Sequence, residues 1–144
     1  MTSTANRPTP AQLNAALLSI RIASALAFLY HGSAILFGAF GGPGPQKFAA
    51  FIHAPALVGY LVGLTQLFAG VTILTGILTR IGALCVIVNM LSAIFIVHLP
   101  HGFDVTQRGI EYPLTQLLIA LALVLTGAGG YSFTSRLPEQ WRKF

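Results

Sequence analysis

Four stretches of this chain, 13–38, 55–77, 80–99 and 111–130, are each about 20 or more residues long and almost wholly apolar. A bilayer core about 30 Å thick is crossed by about 20 mainly apolar residues in an α-helix. Runs this apolar around their whole circumference have no polar face to turn to water, and 144 residues cannot enclose them all in a soluble core. The expected fold is therefore all-α: an integral membrane four-helix bundle forming a single membrane domain over 1–144. Residues 131–144 are read as an interfacial tail.

Composition supports this reading, since 55% of residues are apolar and only 8% charged, against about 25% charged in soluble domains. The net charge of +5, from eight Lys and Arg against three acids, is scattered between the apolar runs and at the ends. That distribution speaks for membrane topology and against nucleic acid as a partner. Cys85, the single cysteine, allows no internal disulfide and no CxxC chemistry; within an apolar run it reads as packing.

The breaks between runs have local causes. Gly41-Gly42-Pro43-Gly44-Pro45 combines backbone entropy with missing donors and cannot continue a helix. Thr75 to Arg80 is a tight turn that makes the second and third runs an antiparallel hairpin. Pro100 and Gly102 end the third run, and Pro113 suits the first turn of the fourth. The N-terminal segment lacks a compact basic start and a small-residue cleavage site, so the first helix is expected to stay as an anchor.

Orientation follows from the cations near the run ends. Arg7, Arg80, Arg136, Arg142 and Lys143 fall on one side, Lys47 and Arg108 on the other, which puts both termini in the cytoplasm. Phe133, Leu137 and Trp141 recur every four residues beside the tail cations, as in a segment lying on the inner interface. All four histidines, with Asp104 and Glu111, then lie in or beside the outward segments 39–54 and 100–110.

Arg21, FLYHGSAILFGAFGG, TQLFAGVTILTGILTR, VHLPHGF and GIEYPL, in this order and spacing, give the chain a resemblance to the DoxX family of small bacterial membrane proteins, covering Arg21 to Ser132. The resemblance implies a four-helix membrane fold in the bacterial inner membrane. It also implies an association with respiratory or oxidative chemistry, some members being subunits of quinone-linked oxidoreductases. The family's pattern commonly has a glutamate where this chain has Gln66. An amide cannot carry a proton, so a proton-coupled role does not transfer to that position.

Several constellations are candidates for chemistry, each with a structural alternative. Gly59, Gly63, Gln66 and Gly70 share one face of the second run, and Asn89 in the third lies at similar depth. The expectation is a Gln66–Asn89 clasp across a small-residue contact, or a ligand contact at Gln66. Ala27, His31, Ala34 and Gly38 share a face of the first run, directing His31 into the bundle, where an ionisable group suggests function. A neutral imidazole bonded to a carbonyl is the alternative. Arg21 is expected to be snorkelling or paired.

The segment from His98 to Pro113 carries His98, His101, Asp104, Glu111 and Tyr112. Imidazole beside carboxylate suits proton exchange with a quinol hydroxyl, or ligation; capping and pairing with Arg108 suit the same residues equally, and Glu111 at a helix start favours the dipole. No metal site is assigned, and a haem between His31 and His98 is a lesser expectation. No phosphate-binding glycine loop, Ser-His-Asp set or HExxH motif occurs.

These readings, with the family resemblance, lead to one functional expectation. The chain is a membrane component of a quinone-linked oxidoreductase, with an outward pocket for a quinone or small substrate. His31 and Glu111 are the catalytic candidates; His98, His101, Gln66, Tyr112 and Asp104 are the binding candidates. Expected partners are the lipid bilayer, membrane or peripheral redox proteins supplying the electron-carrying centre, and a second copy of the chain. The alternative is a non-catalytic scaffold or assembly factor for a partner protein.

Overall fold

A computed structural model describes residues 7–138. Five α-helices organise it: α1 (Pro10–Phe37), α2 (Gly44–Phe51), α3 (Ala56–Thr75), α4 (Thr79–Ala93) and α5 (Glu111–Thr126). Every element among the described residues is helical. Past Ala93 the chain keeps coiling through a π-helical turn at Ile94–His98 and a 3₁₀ turn at Leu99–His101.

Three helical segments are long and apolar enough to cross a bilayer: Pro10–Phe37, Ala56–Thr75 and the continuous Thr79–His101. The fourth apolar helix, α5, has 16 residues and reaches only about 24 Å. It stops four residues short of the expected 111–130 because Gly127 takes φ 74° and turns the chain away.

Helix ends follow local chemistry. Thr9 caps α1, accepting from the Gln12 amide while the Gln12 side chain accepts from the Thr9 amide, with Pro10 in the first turn. Gly38 and Gly76 close α1 and α3 in the left-handed conformation. The α3–α4 hairpin forms as expected, through Gly76 and Leu78, the latter also left-handed at φ 56°. The segment 39–54, read from sequence as an outward loop, instead contains α2, with Pro45 in its first turn and packed mainly on α3.

α1 packs most extensively on α3, and α5 on α4. The α1–α3 seam needs glycine: a Cβ on Gly32 would sit 2.8 Å from the Leu67 amide nitrogen, and one on Gly70 would lie 2.7 Å from Leu29 Cγ. Gly63 meets Leu36 in the same way, and Gly59 meets the Pro45 backbone of α2. The glycine face of the second run does pack closely, but on Leu29, Gly32 and Leu36 of α1 and on Pro45 of α2, not on α4 where the expected contact with Asn89 would have put it. The Ala27–His31–Ala34–Gly38 face expected to direct His31 into the bundle does so only in part: Ala34 is buried, but His31 is exposed beside the seam.

The apolar core is small, centred on Phe28, Ala69, Ile73, Val86, Ala120 and Leu123. Around it, Leu26, Leu57, Leu64, Val88 and Leu125 each expose more than half their surface. Lipid is the solvent that accepts such a surface.

Arg21 is paired, and not by snorkelling: it is 1% exposed. Its guanidinium donates to the carbonyls of Ile73 (2.8 Å) and Leu74 (2.8 Å), which end α3, and to those of Ala128 (2.9 Å) and Tyr131 (2.8 Å) after α5. Carbonyls in the last turn of a helix have no intrahelical partner, and a cation at that end also opposes the helix dipole. One side chain of α1 therefore ties the end of α3 to the segment after α5. Thr134 joins the same knot by donating to the Gly76 carbonyl.

Residues Phe133–Arg136 form a 3₁₀ turn and Leu137 is extended, so the four-residue spacing of Phe133 and Leu137 is not carried by an α-helix. Trp141, Arg142 and Lys143, on which part of the tail and orientation readings rest, lie outside the described residues.

Candidate functional site

The end of the bundle opposite Arg21 encloses a cavity of about 950 Å³. α1 contributes Phe28, His31 and Ile35; α2 contributes Phe48 and Phe51; α3 and α4 form its walls, and Arg108 before α5 closes it with Tyr112 and Pro113 of the first turn of α5. The lining is mostly apolar. Its edge includes Leu61, Leu84, Val88 and Ile96, all exposed apolar side chains, so the mouth opens on the apolar flank of α3 and α4.

Three polar groups in this cavity have no partner. Gln66 is 7% exposed, and its Oε1 makes no hydrogen bond. The Tyr112 hydroxyl is likewise buried without a partner. His31 is accessible within the cavity and makes ring contacts only: edge-on to Tyr30 at 5.4 Å and tilted to Tyr112 at 5.8 Å between centroids. A buried polar atom left unmatched costs about 1–3 kcal/mol, and native structures leave few of them. Two such atoms, with the exposed and unbonded His31 beside them, around one apolar volume are the pattern of a pocket awaiting a polar head group.

The clasp expected between Gln66 and Asn89 does not form. Asn89 Nδ2 donates to Thr65 Oγ1 (3.1 Å) and to the Cys85 carbonyl (2.8 Å). Thr65 is about 100° around the helix from Gln66; Gln66 stands on the glycine face toward α1, and Thr65 faces α4. The clasp is real but belongs to the neighbouring residue.

His98 also lines the cavity. Its Nδ1 bonds the Arg108 carbonyl; a carbonyl only accepts, so Nδ1 carries the hydrogen and neutral His98 keeps its lone pair on Nε2. That bond supports Arg108 in a left-handed backbone conformation at φ 63°. The π-helical turn that carries His98 is of a kind frequent at functional sites.

The other candidates stand apart from the cavity. His101 donates from Nδ1 to the Val97 carbonyl, 2.9 Å away. Asp104 caps the short turn after it, accepting from the amide (2.8 Å) and the hydroxyl (2.9 Å) of Thr106, and these bonds hold its carboxyl below the usual aspartate value. Glu111 accepts from the Val105 amide at 3.0 Å. Both acids thus fold the segment that positions Arg108 and Tyr112. No group of three or more His, Cys, Asp or Glu that could hold a metal occurs among the described residues.

Sequence reasoning passed over α2, although Pro45 followed by Phe48 and Ile52 at a four-residue spacing signalled a short amphipathic helix. It also passed over the Ser24–Gln116 bond (2.9 Å), which ties α1 to α5 through two buried side chains. Isolated polar residues in apolar runs were the available sign.

The fold defines the class first: a helical membrane protein with several apolar spanning segments and an apolar-mouthed cavity that holds a few polar groups. More narrowly, the chain belongs to the DoxX family, whose model matches residues 16–99, from α1 to the end of the π-helical turn. No curated protein and no solved structure matches the chain.

Proposed function

We propose that this chain is the membrane component of a quinone-linked oxidoreductase, and that its cavity receives the quinone head group. The observation that carries the reading is the convergence of Gln66 Oε1, the Tyr112 hydroxyl and His31, all without hydrogen-bond partners, on one apolar cavity. The mouth among exposed apolar side chains favours a ligand dissolved in the membrane over one in water.

In this reading a quinone supplies two-electron, two-proton carrier chemistry. The Tyr112 hydroxyl donates to one oxygen of the head group and the Gln66 carboxamide holds its flank. His31 exchanges a proton with it, and His98 offers Nε2 at the cavity wall. Glu111, Asp104 and His101 act on the loop that closes the site. Because the chain has no ligand set for a redox centre among its described residues, electrons come from a partner protein.

The same reading takes α5 as a fourth crossing, with its flanking loops making up the length. It places both termini in the cytoplasm and the protein in the bacterial inner membrane. The test is lipid extraction from gently solubilised protein. About one ubiquinone or menaquinone per chain is expected, and repeated failure to recover either contradicts the proposal. Intact quinone binding with loss of a partner protein on His31→Ala would instead favour the scaffold reading.

A further inference from the structure

The cavity is long as well as large. On α4 and the turn after it, the lining runs from Ile81 through Leu84, Val88 and Ser92 to Ile96. These residues follow one another at three- and four-residue spacings, a single stripe over about 22 Å of helix. α3 lines the cavity only between Leu61 and Gln66. Past Thr65, α4 continues without α3, and the enclosed volume becomes a groove open on the flank of the hairpin. From this geometry we infer that the ligand is a long-tailed amphiphile, whose hydrocarbon tail leaves the head-group cavity along α4 and enters the bilayer near Ile81. The inference rests on the quinone reading above and adds to it the path of a prenyl tail.

The polar groups of the cavity stand at one end of the stripe. Gln66 is 7% exposed with its Oε1 unpartnered, and its depth along the hairpin is fixed by the bond from Asn89 to the adjacent Thr65. The unpartnered Tyr112 hydroxyl, with His98 and Arg108, lies beyond Asn89, toward the end of the helix where the chain leaves it. From Asn89 back to Ile81 the groove runs about 12 Å, and there α4 offers it only Ile81, Leu84, Cys85 and Val88. Polar at the helix end and hydrocarbon toward its middle is the order of a lipid leaflet, and of an amphiphile lying in one.

Volume points the same way. Pockets for whole drug-sized ligands span about 300–1,000 Å³, and this cavity, at about 950 Å³, is far larger than one head-group ring. Exposed apolar side chains such as Leu84 and Val88 ordinarily face bulk lipid. Here they continue a cavity that holds a buried, unmatched carboxamide oxygen, so the head group bound there delivers its own tail to them. Lipid chains are as apolar as these side chains, so the groove gains little affinity from the tail. It fixes where the tail lies, and the test must read position.

The test uses full-length protein in detergent micelles with a ubiquinone analogue whose alkyl tail carries a terminal diazirine. After irradiation the labelled residues are mapped by mass spectrometry, with and without excess unlabelled ubiquinone. Label that the competitor removes should concentrate on 81–88 of α4, while label on the exposed Leu26 and Leu125 should ignore the competitor. Val88→Trp fills the groove and should reduce the competed label on α4 to background; Leu84→Trp serves if the first variant does not fold. The tail path is overturned if the competed label falls mainly outside 81–88, if it survives a groove-filling variant, or if phosphatidylglycerol competes as well as ubiquinone. Quinone recovered from the wild type with competed label elsewhere overturns this path alone. No competed label and no recovered quinone overturns the head-group reading with it.

Discussion

Asn89 Nδ2 donates to Thr65 Oγ1 at 3.1 Å, one residue along α3 from Gln66, whose own carboxamide oxygen is buried without a partner. The hairpin of α3 and α4 is thus closed by Thr65, and Gln66 is left for whatever enters the cavity. The two neighbours divide the structural and the ligand-facing work between faces of one helix about 100° apart.

Gln66→Leu should therefore leave melting in detergent unchanged or raised, since it removes an unmatched buried polar atom worth about 1–3 kcal/mol. Asn89→Leu should lower stability by about 1 kcal/mol through loss of the cross-helix bond. If Gln66 held the hairpin, the order of the two effects would reverse.

Arg21→Met removes a guanidinium that satisfies four carbonyls, two at the end of α3 and two in the segment after α5. A loss of about 3 kcal/mol or more is expected, read as a fall in the thermal midpoint. Arg21→Lys should recover only part of it, because three donors on one nitrogen cannot span the fork.

Gly32→Ala places a methyl 2.8 Å from the Leu67 amide nitrogen, where backbone rather than a flexible side chain must yield. Overpacking of this kind costs about 1–3 kcal/mol. Circular dichroism melting should show the loss, with helix content little changed at low temperature.

Much of this was legible from sequence, because bilayer length and hydrophobic runs are strong constraints. The three long segments, the Thr75–Arg80 hairpin and the glycine face of α3 all follow from them. The resemblance to the DoxX family agrees with the match over 16–99. Spacing along a helix, however, fixes a face only to within about one residue, or 100°. That is why the clasp was assigned to Gln66 in place of Thr65, and why His31, directed into the bundle by its spacing, is instead exposed. Glu111 and Asp104 carry no mark in sequence that separates a cap from a catalytic acid; their backbone partners at Val105 and Thr106 distinguish them.

The Asp104 turn gives a pH dependence with a definite sign. Its bonds to Thr106 lower the folded carboxyl below its unfolded value, so their contribution is present above the ordinary aspartate range near about 4. It is lost as pH falls through the lowered folded value. Amide exchange at Thr106 should accelerate only below that range, and Asp104→Asn should exchange faster at neutral pH.

The most direct test of the cavity reading is quinone content per chain in matched preparations of wild type, the Gln66→Leu, Tyr112→Phe double variant, and Glu111→Gln. The account predicts about one quinone in the wild type, at least a tenfold reduction in the double variant without a lower melting temperature, and near wild-type occupancy in Glu111→Gln. Equal quinone in the wild type and the double variant, or its loss only in Glu111→Gln, would contradict the account.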